Sequence, residues 1–120
     1  MAEQPQPFSR FTVRFPLRAE GFSAWQPLAR GEHIAIHSSS LEPGRGEVNL
    51  HSHDDEAVWV VLYGEVTFYG EDDNRELCTL RPGDGILIPQ DHPYRYVNMG
   101  DGYLHMLRFG GRGAPPEAGS

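Results

Sequence analysis

Apolar residues along this chain come in short alternating runs broken by turn residues, the pattern of strands rather than helices. Phe11, Val13 and Phe15 alternate with Thr12 and Arg14, which predicts a half-buried strand. His33–Leu41 runs into a turn at Glu42-Pro43-Gly44, and Glu47–His53 is the next extended segment. Val58–Tyr63 and Val66–Tyr69 flank Gly64-Glu65 and read as a tight hairpin. Leu77–Leu80 ends at Arg81-Pro82-Gly83-Asp84-Gly85, and Ile86-Leu87-Ile88 stops at Pro89. Tyr94–Val97 and Tyr103–Phe109, parted by Gly100-Asp101-Gly102, complete the set. Turns recurring about every ten residues suit a β-sandwich or barrel.

Composition supports this reading. Of 120 residues, fourteen are glycine and ten proline, a fifth of the chain, which leaves few stretches for a long helix. The one candidate, Gly21–Gly31, contains Pro27. The length suits a single domain. Residues 10–109 form that domain, with a flexible tail of residues 1–9 that is Gln/Pro-rich and another of residues 110–120 that is Gly/Pro/Ala-rich.

The net charge of −7 disfavours nucleic acid as a partner, since phosphate backbones would be repelled. No basic cluster marks a membrane surface, and no apolar run reaches the roughly 20 residues that span a bilayer. The polar start lacks the apolar core of a signal peptide, and the single cysteine, Cys78, forms no internal disulfide. Together these features predict a cytoplasmic protein. Cys78, in mid-strand, reads as a small buried side chain and not a nucleophile.

On a regular strand, residues two apart share a face about 6.5 Å from each other, so His51 and His53 can converge on one ion. Trp59, Val61 and Tyr63 share a face with Ala57 and should line the interior. No Ser/His/Asp order, phosphate-binding glycine loop or zinc-type cysteine pair is present.

His51-Ser52-His53, with Gly64 closing the next strand, resembles the first motif of cupins; Gly83 and Pro89, followed by Asn98, resemble the second. The resemblance covers residues 33 to 109. It implies an all-β fold, an antiparallel jelly-roll barrel with little helix, and a homodimer in which an N-terminal edge strand pairs with its counterpart. It also implies a divalent transition metal (iron, manganese, nickel, zinc or copper) in the barrel mouth, with His51 and His53 as ligands.

The carry-over is incomplete. Where the family has a glutamate, this chain has Ala57 and Val58; where it has its last histidine, this chain has Tyr94. Tyr94 is therefore the catalytic candidate and the first choice as third ligand, ahead of Glu56, which a bulge would have to turn inward, and of His37 and His105. The expectation is an enzyme binding a small molecule in the mouth, metal-dependent and of the dioxygenase, lyase or isomerase class. The alternatives are a metal-free His/Tyr acid–base enzyme of the sugar-epimerase kind and a non-catalytic binding module.

Overall fold

A computed structural model describes residues 8–13 and 23–111. Among the described residues, eight antiparallel strands make two facing sheets: β1 (Ser23–Arg30), β2 (Ile34–Leu41), β3 (Glu56–Tyr63), β4 (Val66–Gly70), β5 (Arg75–Leu80), β6 (Gly85–Ile88), β7 (Tyr94–Asn98) and β8 (Leu104–Gly111). One sheet has the order β1-β2-β8-β3-β6, the other β5-β4-β7. No helix occurs among the described residues.

The core forms where the inward-facing residues of the two sheets meet. Alternation along β3 buries Ala57, Trp59 and Val61, and these pack with Val66 and Phe68 of β4, Tyr94 and Tyr96 of β7, and Leu104 and Met106 of β8. The alternation stops at Tyr63, which is half exposed instead of interior, because the pairing with β8 shifts register between Val61 and Tyr63. The β3–β4 hairpin depends on Gly64, whose φ is 88° and where a side chain would collide with the Tyr103 carbonyl. Asn98 is wholly buried and structural: its Nδ2 donates to the Leu41 and Gly102 carbonyls, and its Oδ1 accepts from Gly100 N–H.

Several elements differ from the sequence reading. Residues 11–13 are not a strand, and Phe15 lies outside the described residues. Within Gly21–Gly31 the structure forms β1, with a bulge between Pro27 and Ala29 that accommodates the ring lacking an N–H. At the other end β8 continues through Gly111, so Gly110 and Gly111 belong to the sheet and not to a tail.

Residues 47–53 do not form a regular strand either. They follow β7 through isolated bridges Gly46↔Val97 and His51↔Tyr94. Glu47 N–H donates to the Tyr96 carbonyl, and His51 and Tyr94 exchange both backbone bonds. Four steps along this segment thus match two steps along β7, and the surplus is taken up by a bulge whose Val48 side chain stands 85% exposed.

Candidate functional site

This bulge builds the site. On a regular strand Glu47 and His51 would stand about 13 Å apart. Here Glu47 Oε2 lies 3.3 Å from His51 Nε2. The Glu47 backbone is fixed by its N–H bond to Tyr96 and by Arg95, whose Nη1 donates to the Glu47 carbonyl at 3.2 Å. The second carboxylate oxygen accepts from Tyr96 N–H at 3.2 Å.

A cavity of about 480 Å³ opens here, at one end of the barrel. Its walls are Trp25, Trp59, Tyr94, Tyr96, His51 and His53, with Glu47, Asp54, Asp55 and Arg108 as the charged lining. His51 and His53 meet edge to face, with ring centroids 4.9 Å apart, and the His51 and Tyr94 rings are 4.6 Å apart. No substrate fits between rings that close, so His51 and Tyr94 form one wall of the cavity, not two opposed jaws. Trp59 Nε1 donates to the Tyr94 hydroxyl at 3.3 Å, which leaves the phenolic proton to donate elsewhere.

Burial sets the protonation states. It raises the Glu47 carboxyl to about 7, against the opposing effects of the Tyr96 N–H and the Arg95 charge. It lowers His51, with His53 and Arg108 adding to the effect and a bond to the Asn49 backbone working against it. The Asn49 bond directs one ring N–H to that backbone and leaves Nε2 as an acceptor toward Glu47. Near pH 7 the carboxyl is therefore divided between its neutral and ionised forms, beside an imidazole that is neutral. Burial also raises Tyr94, which keeps its phenol protonated at neutral pH.

The other sequence candidates are not gathered here. Glu56 is exposed at the start of β3, opposite Gly111. His105, buried on β8 opposite Ser40, does not line the cavity. His37 stacks on Trp25 with centroids 4.5 Å apart and lines the neighbouring cavities instead. Conversely, sequence reasoning passed over Glu47, Trp25 and Arg108. Arg108 is buried in mid-strand on β8, an unusual place for an arginine, but β8 read simply as an apolar strand.

The donor set does not fit a resident metal. Among the described residues no three or more His, Cys, Asp or Glu are arranged to hold an ion. His51 Nε2 faces the Glu47 carboxyl, which burial keeps partly protonated and which would have to lose that proton to ligate. The residue taking the place of the family's last histidine is a protonated phenol.

The cupin-domain family model matches residues 37–109. No curated protein matches the chain. Among solved structures, an RmlC-like cupin family protein with a double-stranded β-helix fold from Methanocaldococcus jannaschii superposes with a TM-score of 0.75 at 15% identity, covering 89% of this chain and 93% of that one. A cupin superfamily protein from Desulfitobacterium hafniense gives 0.69 at 18% identity, covering 88% and 98%. An RmlC-like cupin protein from Desulfovibrio desulfuricans gives 0.67 at 21%, covering 92% and 98%. These likenesses establish the jelly-roll fold.

Proposed function

This chain belongs to the cupin family, and from that premise we propose that it is a small-molecule enzyme working by metal-free acid–base chemistry in the barrel mouth. The observation carrying this reading is the Glu47–His51 contact at 3.3 Å inside an aromatic-walled cavity. A general acid or base works best when its pKa lies near the working pH, and Glu47 is held at about 7. Glu47 is the group that gives or takes the substrate's proton. When Glu47 gives its proton the pair is left as a carboxylate beside a neutral imidazole, and when the proton comes back His51 Nε2 can share it, so the pair regains its starting state only when the substrate has returned the proton. Tyr94 supplies a hydroxyl donor to a substrate oxygen on which negative charge develops. His53 extends the wall beside His51. Four titratable groups displaced from their ordinary values, Glu47, His51, Tyr94 and Tyr96, clustered in one cavity, favour a site built for proton transfer over a passive pocket.

The test is a carbon-13 NMR titration of the Glu47 carboxyl and the His51 ring, paired with metal analysis of protein offered manganese, iron, nickel, copper and zinc. The expected result is a Glu47 transition near pH 7 that moves the His51 signals with it, and no stoichiometric metal. If Glu47 titrates in the ordinary carboxylate range, the acid–base reading falls. If one metal ion binds per chain and is lost on replacing His51 and His53 by alanine, the metal-dependent reading takes its place.

A further inference from the structure

The same cavity carries information about charge. Four aromatic side chains ring it: Trp25, Trp59, Tyr94 and Tyr96. Trp25 and Trp59 stand 6.3 Å apart at 54°, and Trp59 and Tyr96 stand 4.9 Å apart at 57°. Successive tilts of this size turn the rings into a curved wall, not a flat stack. Trp25, half exposed, is the ring a ligand can reach most fully, and the buried Trp59, with Tyr96 beside it, stands behind it close to the roughly 6 Å over which neighbouring rings add to the attraction for a cation. Trp59 already takes a cation in this way, since the Arg108 guanidinium carbon lies 6.0 Å from its centroid.

The charged lining points the same way. Glu47, Asp54 and Asp55 face a single base, Arg108. Arg108 is committed to Asp55 by a 3.1 Å ion pair, so it is not available to a ligand carboxylate or phosphate. Asp54 has no lysine or arginine partner in the lining, and Arg95, whose charge acts on Glu47, lies outside it. His51 is held neutral by burial and adds no positive charge. An anion entering this mouth would meet acidic side chains and the negative faces of aromatic rings; a cation would meet complementary groups on both counts.

We propose that the cavity selects a small organic cation of the ammonium class, held by the exposed Trp25 ring against the Trp59 and Tyr96 wall and by the carboxylate of Asp54. This rests on the reading of the mouth as a small-molecule site and names the class of molecule it takes. Glu47 adds its charge as it ionises around pH 7. Trp25 is the part of the cage that can be removed without opening the core, because it is 51% exposed and packs one face on His37. Trp59 and Tyr96 are core residues as well as cage walls.

Three probes of one shape separate the possibilities: tetramethylammonium, the neutral tert-butanol and the anionic pivalate. Each is titrated at constant ionic strength into nitrogen-15-labelled protein, with the indole N–H signals of Trp25 and Trp59 as readout. Tetramethylammonium should bind saturably and about tenfold more tightly than tert-butanol, with pivalate weakest. Trp25→Ala should abolish that preference, Trp25→Phe should restore most of it, and Asp54→Asn should weaken the cation while leaving tert-butanol unchanged. Equal binding of cation and neutral probe overturns the proposal in favour of an apolar pocket. Preferential binding of pivalate overturns it in favour of an anion site at Arg108. No saturable shift with tetramethylammonium overturns it outright. None of these outcomes alters the Glu47 titration, so the cation proposal and the acid–base reading fail separately.

Discussion

Arg108 Nη2 lies 3.1 Å from Asp55 Oδ1, and the two side chains line both the mouth cavity and a second cavity of about 230 Å³ that Arg30, His33 and His37 help to form. The pair is thus a partition between the two. Only 9% of the arginine side chain and 21% of the aspartate are exposed. Such a pair contributes little net stability over an apolar replacement, but breaking it from one side leaves a largely buried charge without its counter-ion.

The two halves should therefore respond unequally. Asp55→Ala leaves the guanidinium buried without its counter-ion, and should cost about 3 kcal/mol. Arg108→Met removes that charge, keeps most of the stem volume and leaves only the more exposed aspartate, so it should cost less than half as much. Urea denaturation of both variants at neutral pH measures the difference. Equal costs, or a larger one for Arg108→Met, would show that the arginine is not held by its charge partner.

Gly110 tests the same partition sterically. A side chain there would collide with Arg108 Nη1 and lie 2.8 Å from Asp55 Oδ2. Gly110→Ala should destabilise by about 2 kcal/mol, as overpacking does. Gly102, where an added carbon meets nothing within 4 Å, should tolerate alanine to within about 0.5 kcal/mol. In an Arg108→Met background the Gly110→Ala cost should shrink, since the two residues are in contact and their effects cannot add. A Gly110→Ala penalty unchanged in that background would mean that the clash lies elsewhere.

The fold was legible because its markers are local. The alternation in Val58–Tyr63, the hairpin glycine Gly64 and the Gly83–Pro89 spacing each follow from the chemistry of a few neighbouring residues. The placement of Tyr94 beside His51 was legible through motif register. Glu47 was not, because a strand of period two carries it about 13 Å from His51, and only the bulge at Val48 closes that gap. A bulge follows from how two segments pair, which no single stretch of sequence states. Arg108 and Trp25 escaped for a related reason: what matters is their partners, Asp55 and His37, which are distant in the chain.

Glu47→Gln offers the sharpest view of the proton-sharing pair, because glutamine keeps the shape and both contacts: its oxygen can accept from Tyr96 N–H and its amide can donate to His51 Nε2. The folded state holds the Glu47 proton up to about pH 7, whereas the unfolded chain releases it near 4.5. Between those values the native protein binds more protons, so this group's stabilising contribution is complete below 4.5 and is lost as pH rises through 7. With 31% of the side chain exposed, the loss should amount to about 2 kcal/mol. His51 has the opposite sign: its native value lies below 6.5, so its contribution is complete above 6.5 and fades as pH falls. Wild type and Glu47→Gln should therefore be nearly equal in stability at pH 4.5. The variant should pull ahead by about 2 kcal/mol at pH 8, and the slope it retains on acidification should include that of His51. Urea midpoints at four pH values between 4.5 and 8 measure the separation. Parallel curves would mean that Glu47 ionises as readily in the folded protein as in the unfolded chain, and the neutral acid–imidazole pair would have to be abandoned.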